Sequence, residues 1–163
     1  MEADGAVILT WRNLVLADET VRRALNGRLS EEASCSLLEH DLLAWVAAAP
    51  ERGLRMQELA DRLGVTPGGL TRIVDRLVSR GWIERDRPSS NRREVYAVLT
   101  YDGRRAMTRA RAVYLRVLRE TLGTHLDEPE LAELGRISGK LLAGLAGPTG
   151  LTEDPPLRPG SES

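Results

Sequence analysis

Threonine and arginine side chains stand at helical spacing in the segment after Thr66, and these side chains can bind anionic oxygens. Thr71, Arg72 and Arg76 share one side of the segment. The other side is apolar, with an i, i+3, i+4, i+7 spacing of Leu70, Ile73, Val74 and Leu77. Because a guanidinium hydrogen-bonds phosphates and guanine edges, we expect this surface to contact DNA. The alternative is an ordinary exposed helix whose arginines are only solvated.

The distribution of charge along the chain favours the same partner, although the net charge is only −1 at pH 7. Residues 71–93 hold seven arginines and three acidic residues, an excess of four positive charges. Residues 127–163 hold seven acidic and three basic residues, an excess of four negative charges. A basic segment of this kind suits a nucleic acid, and the acidic one could not lie on phosphate.

Other chemistries find weaker support in the sequence. There is no nucleophile-base-acid set and no phosphate-binding glycine loop with lysine, so we expect no enzyme and no cofactor. Glu39-His40 could contribute to a metal site, but His125 is the only other histidine, so we expect no metal site. Cys35 is the only cysteine, and either an inert thiol or a redox sensor fits it at this stage.

The helices that must position the arginines are predicted from helix-capping and helix-breaking residues. A first helix covers 7–29 and ends near Asn26-Gly27; a second, capped by Ser34 or Ser36, stops at Ala49-Pro50. A third runs from Met56 to Leu63, and a fourth, with Pro67 at its first position, ends at Arg80-Gly81.

The third and fourth helices have the spacing of a helix-turn-helix. Ala60, Gly64, Leu70 and Ile73 stand at relative positions 5, 9, 15 and 18, where that motif needs a small residue, a turn glycine and two apolar contacts. The Gly68-Gly69 pair lowers helix stability by roughly 1 kcal/mol per glycine, yet it lets the backbone approach a groove wall.

A hairpin, two further helices and a tail complete the chain. Trp82–Arg85 and Glu94–Leu99 are predicted strands joined by an arginine-bearing tip, so an arginine of Asn91-Arg92-Arg93 can enter a minor groove. A long helix follows from Thr100 to about Leu122, and a capping box at Asp127–Glu130 opens a last helix to about Leu145. Residues 147–163 are rich in proline, glycine, serine and acids and are predicted to be disordered.

The sequence also bears on compartment and assembly. The N-terminal residues are acidic where a signal peptide needs positive charge, and no apolar run reaches membrane length, so we expect a cytoplasmic protein without membrane contact.

The last two helices carry apolar stripes that we expect to need a partner surface. The alternative is that these helices fold back as a cap onto their own subunit. The stripe residues are Val113, Val117, Leu118, Leu122, Leu131, Leu134, Ile137, Leu141 and Leu145.

Over residues 8–146 the chain resembles the MarR family of transcription regulators. The resemblance rests on "LRMQELADRLGVTPGGLTRIVDRLVSRGWIERD", on the hairpin "RPSSNRREVYAVLT" and on Thr100-Tyr101-Asp102-Gly103. It implies a mainly α fold with a small β-wing: a winged helix-turn-helix and an obligate dimer through the N- and C-terminal helices. Residues 1–30 and 100–146 would form the dimer, and 31–99 would bind DNA.

The resemblance also implies which residues act. The double-stranded DNA of a pseudo-palindromic operator would be contacted by Thr66, Pro67, Gly69, Thr71, Arg72, Arg76, Arg92 and Arg93. Asn91 replaces the aspartate that usually braces the wing arginine, which leaves Arg93 less firmly held or sharing its role with Arg92.

The implied function is a repressor that a small molecule releases from DNA. Trp11, Asp41 and Trp45, with Arg72 or Arg85, resemble the site of the urate-responsive branch, which implies an anionic aromatic effector. For both tryptophans plain packing is the alternative. For the whole protein the alternative is an architectural DNA binder without an effector.

Overall fold

The computed structural model describes residues 2–49, 53–88 and 94–145. Six helices and three short strands follow one another in this part of the chain. In order they are α1 Glu2–Ala33, α2 Leu37–Ala48, β1 Leu54–Arg55, α3 Met56–Leu63, α4 Pro67–Ser79, β2 Ile83–Asp86, β3 Tyr96–Leu99, α5 Tyr101–Thr121 and α6 Glu128–Leu145. The predicted disorder of 147–163 concerns residues outside the described ranges.

Helix α1 continues through Asn26-Gly27, so the predicted end of the first helix is wrong. Leu25 and Leu29 are buried against Val113 and Val117 of α5, and this packing outweighs the roughly 1 kcal/mol that a glycine costs in a helix. The helix ends at Ala33, just before Ser34, whose backbone φ is 55°.

Helix α2 begins with the capping box formed by Ser36 and Glu39. The Ser36 Oγ accepts from the Glu39 backbone N–H at 3.1 Å, and the Ser36 N–H donates to Glu39 Oε2 at 2.9 Å. Ser36, rather than Ser34, is therefore the cap. The predicted stop at Ala49 is confirmed.

The helix-turn-helix formed by α3 and α4 agrees with its sequence pattern. Gly64 closes α3 with φ of 62°, a left-handed conformation that glycine adopts without strain. The Thr66 hydroxyl accepts from the Gly69 N–H at 3.1 Å and caps α4, whose first residue is Pro67. The predicted inward face of α4 is buried in one core with α2, α3 and the sheet. This core fixes which side of α4 faces outward.

The sheet contains one strand that the sequence did not predict. Strands β2 and β3 form the expected antiparallel hairpin, with Ile83 opposite Leu99 and Asp86 opposite Tyr96. Strand β1 pairs with the other edge of β3, giving the order β1-β3-β2. Two residues are too few to show an alternating pattern, so β1 had no signal of its own.

Helices α5 and α6 differ in how much of their apolar surface the chain covers. Val113 and Val117 of α5 are buried against α1, so the expectation that they need a partner surface is wrong. Helix α6 opens with the predicted capping box, in which Asp127 and Glu130 exchange two hydrogen bonds of 2.9 Å. In contrast to α5, α6 buries none of its side chains in the described part of the chain.

Within the described residues, none of the helices combines the length and the apolar character needed to cross a bilayer.

Candidate nucleic-acid interface

The outward face of α4 is polar and accessible. Thr66, Thr71, Arg72 and Arg76 are exposed, as is Pro67 at the start of the helix, whereas Gly69 is half-buried. The Thr71 hydroxyl donates to the Pro67 carbonyl at 2.9 Å. No carboxylate among the described residues forms an ion pair with Arg72. Its guanidinium therefore keeps its hydrogen-bonding capacity for an external group.

An ion pair neutralises the acidic residue on the same face. Asp75 Oδ1 lies 2.7 Å from Arg85 Nη1 of strand β2. The carboxylate would otherwise repel phosphate, and the pair also links α4 to the hairpin. Arg85, one of the residues proposed for effector binding, is thus engaged with the outward face of α4.

Arg76 is held at the other flank of α4. Its Nε donates to Glu39 Oε1 of α2 at 3.1 Å, while 54% of its side chain remains exposed. The helical spacing predicts that Arg76 faces outward, but it does not indicate Glu39 as its partner. Because the capping box already explains a glutamate at the third position of α2, the sequence gives no separate indication that Glu39 also binds Arg76.

A groove of about 670 Å³ separates α4 from the hairpin. Its lining mixes three arginines with two carboxylates and comprises Arg55, Met56, Gln57, Thr71, Asp75, Arg85, Arg87, Glu94 and Val95. Arg55 donates to the Tyr96 hydroxyl at 2.9 Å and pairs with Glu94 at 2.9 Å, which ties β1 to the adjoining part of the hairpin. The predicted wing residues Asn91, Arg92 and Arg93 lie outside the described residues.

This arrangement is similar to that of known MarR proteins. The MarR family model matches residues 36–94, which include α2, the helix-turn-helix and β2. MarR of Escherichia coli is 34% identical over 85 residues, 52% of this chain and 59% of that protein. A MarR family transcriptional regulator from Streptomyces coelicolor, solved in complex with DNA, superposes with a TM-score of 0.77 at 29% identity and 92% coverage of both chains. By these comparisons the chain is similar to the MarR family of transcription regulators.

A further solved structure shows the same likeness. Mutant MarR from Escherichia coli, complexed with operator DNA, has a TM-score of 0.72 at 28% identity and covers 84% of this chain and 96% of that one. By sequence, the chain spans 59% of the length of the curated MarR relatives that it matches. These comparisons establish the winged helix-turn-helix fold of the chain.

The five side chains proposed for an effector site lie in different surroundings in this chain. Trp11 is 67% exposed on α1, whereas Trp45 is buried in the core, with the Arg62 guanidinium 4.2 Å from its ring centroid. Asp41 Oδ1 lies 3.0 Å from His40 Nδ1, and Arg85 is paired with Asp75. Across the described ranges, no hydrogen bond, ion pair or ring contact joins any two of the five. The effector site thus remains a prediction.

His40 is packed in the interior of the subunit. It is 1% exposed, stacks on Tyr114 with 4.4 Å between ring centroids, and its Nε2 has no hydrogen-bond partner in the described part of the protein. No three His, Cys, Asp or Glu side chains come together there as metal ligands would.

Cys35 lies between α1 and α2 and is 2% exposed. Burial, reinforced by the nearby Glu39 carboxylate, raises the pKa of its thiol to about 11.

We expect an aromatic disulfide reagent at pH 8 to modify Cys35 of the folded protein roughly a hundredfold more slowly than Cys35 of the urea-unfolded chain. The reason is that little of the Cys35 thiol is ionised to the reactive thiolate in the folded protein. Release of the coloured thiolate measures both rates. Equal rates would show that Cys35 is open to redox chemistry.

Proposed function

We propose that this protein is a transcription regulator that binds double-stranded DNA as a homodimer. The observation that carries the proposal is the outward face of α4, where Arg72 has no ion-pair partner among the described residues and the Asp75 carboxylate is neutralised by Arg85. The DNA complexes of the two MarR relatives at 28% and 29% identity support it. Thr66, Pro67, Gly69, Thr71, Arg72 and Arg76 would contact the operator from α4, and Arg92 and Arg93 from the wing.

The proposed dimer uses the helices at the two ends of the chain. Residues 1–30 and 100–146 would join the subunits, and 31–99 would form each DNA-binding unit. Large apolar side chains on α1 and α6 are exposed in the single chain, among them Val7, Ile8, Trp11, Leu134, Ile137 and Leu141. A second copy is the partner that would remove them from water. Two α4 helices must then lie roughly 34 Å apart to enter successive major grooves.

We further propose repression relieved by a small, anionic aromatic effector, acting in the cytoplasm and without catalysis. A ligand that binds better to a dimer with a different α4 spacing would shift the population away from DNA. The alternative is an architectural DNA binder without an effector; Trp45 is buried in the core, and no hydrogen bond, ion pair or ring contact joins any two of the five candidate residues across the described ranges. Thermal-shift measurements with urate, phenolic acids and antibiotics distinguish these functions: stabilisation by one compound supports an effector, and its absence across the panel favours the alternative.

The salt dependence of binding tests DNA recognition itself. For the intact protein on a duplex recovered by selection from a random library, log affinity should fall with log salt by roughly 0.9 for each phosphate neutralised. Fluorescence anisotropy at several salt concentrations gives the slope. A nearly flat slope would contradict the proposed function.

Arg72→Ala should weaken binding to the selected duplex by roughly a hundredfold, about tenfold per subunit, because one arginine contact is worth about 1–3 kcal/mol. Arg136→Ala is the matched control, since Arg136 is an exposed arginine of α6 that pairs with Glu133. It should bind as the parent does. Equal affinities of the Arg72→Ala variant and the parent, measured by anisotropy, would overturn the assignment of α4 as the recognition helix.

A further inference from the structure

The Glu39 carboxylate is a buried charge that contacts Arg76 of the proposed DNA surface of α4. Only 5% of its side chain is exposed. Its Oε2 accepts from the Ser36 N–H, its Oε1 accepts from Arg76 Nε at 3.1 Å, and Arg80 Nη1 lies 3.7 Å from Oε2. A carboxylate withdrawn from water is unfavourable unless it is paired and hydrogen-bonded, and both oxygens of Glu39 meet that condition.

Glu39 is ionised at neutral pH. Burial by itself raises the pKa of the carboxyl group, but the hydrogen bond from Ser36 and the interactions with Arg76 and Arg80 outweigh burial and bring the pKa below its usual value. The charge is thus available to hold the two arginines of the α4 region throughout the physiological range.

The way in which Arg76 is held leaves it able to bind a second group. Glu39 engages the Nε, and the guanidinium still carries its two terminal nitrogens on a side chain that is 54% exposed. An arginine fixed in this way loses less side-chain entropy when it binds phosphate than a mobile one does. Arg72, one turn earlier on α4, has no such brace among the described residues.

Arg80 connects the same carboxylate to the end of α1. Its Nη1 donates to the Ser34 carbonyl at 2.7 Å, and Ser34 is the residue with positive φ between α1 and α2. Glu39 therefore lies where the N-terminal helix, α2 and α4 meet.

We infer that Glu39 is a positioning residue for DNA binding, which holds the Arg76 guanidinium at the surface of α4 in the orientation that phosphate requires. The inference rests on the proposed function and deepens it. Glu39 itself would touch no nucleotide. Its contribution would be to order Arg76 before the duplex arrives.

The test uses Glu39→Gln in the full-length protein. Glutamine keeps an oxygen that accepts from the Ser36 N–H but removes the charge that holds Arg76. We expect affinity for the selected duplex to fall roughly tenfold, because each of the two Arg76 side chains must then be ordered on binding. Glu58→Gln is the matched control, since Glu58 pairs with Arg62 within α3 and contacts no residue of α4 by an ion pair. It should bind at least as tightly as the parent.

A double-mutant cycle separates positioning from a general structural effect. In an Arg76→Ala background, Glu39→Gln should change affinity less than twofold, since the side chain that it positions is gone. Arg76→Lys should also bind roughly tenfold more weakly than the parent, because a single ammonium cannot hold Glu39 and reach phosphate at once. This variant keeps the test available even where Glu39→Gln does not fold.

The outcomes distinguish the inference from the proposed function. A parent protein that binds no duplex overturns both. A parent that binds, together with a Glu39→Gln variant that binds as tightly as Glu58→Gln, overturns the inference alone. A tenfold loss that persists in the Arg76→Ala background, or an Arg76→Lys variant equal to the parent, also overturns the inference alone.

Discussion

Ile137→Glu is expected to dissociate the proposed dimer while leaving each subunit folded. Ile137 is 49% exposed on α6, a helix with no buried side chain, so the substitution removes no contact within the subunit core. In a dimer it would place two unpaired charges in an apolar contact. The dimer dissociation constant should rise roughly a hundredfold or more, since even about 1.4 kcal/mol per charge gives a factor of ten. Sedimentation equilibrium measures this constant.

Ala143→Glu is the matched control for this experiment. Ala143 is exposed on the same helix but lies on the side opposite the stripe formed by Leu134, Ile137 and Leu141. It adds the same charge and should leave the dimer intact. The dissociated Ile137→Glu protein should also lose most of its affinity for the selected duplex, because a single α4 helix then binds without its linked copy. A stable Ile137→Glu dimer would show that α6 does not join the subunits.

Gly103→Ala is expected to cause a large loss of stability. A Cβ at this position would lie 1.9 Å from the Trp82 carbonyl oxygen and 2.9 Å from Leu99 Cδ2. Helix α5 must therefore move away from the hairpin, and the free energy of unfolding should fall by about 3 kcal/mol, the upper end of typical overpacking costs. Urea denaturation followed by circular dichroism measures the change.

Gly27→Ala is the control for the added methyl group. Gly27 lies inside α1, and a Cβ there would meet nothing within 4 Å. Its replacement should stabilise the protein by up to about 1 kcal/mol, because alanine is the better helix former. If the Gly103→Ala variant is as stable as the parent, α5 and the hairpin do not pack as closely as described.

The helix-turn-helix was predictable because its information is local. Gly64, Thr66 and Pro67 each fix a backbone conformation within a few residues, and the apolar spacing of α4 fixes its inward face. For the same reason the outward face, with Thr71 and Arg72, was assigned correctly before the fold was known.

The features that escaped prediction depend on distant residues. Gly27 is a helix breaker in isolation, and only the packing of α1 on α5 explains why the helix continues. The contact between Glu39 and Arg76 joins residues 37 positions apart, so no periodicity indicates it. Asp75 and Arg85 are nearer in sequence, but their pairing requires the turn between α4 and β2. Such contacts follow from topology rather than from spacing.

Selection of bound duplexes from a random-sequence library by the intact protein, followed by sequencing, shows whether two linked α4 helices read DNA together. We expect a two-fold symmetric motif whose half-site centres are about 10 base pairs apart, one helical turn, as two linked α4 helices require. Inserting five base pairs between the half-sites should then abolish tight binding, because it turns one half-site to the opposite side of the duplex. Recovery of no enriched motif, or of a motif indifferent to that insertion, would show that the protein does not bind DNA through two linked α4 helices.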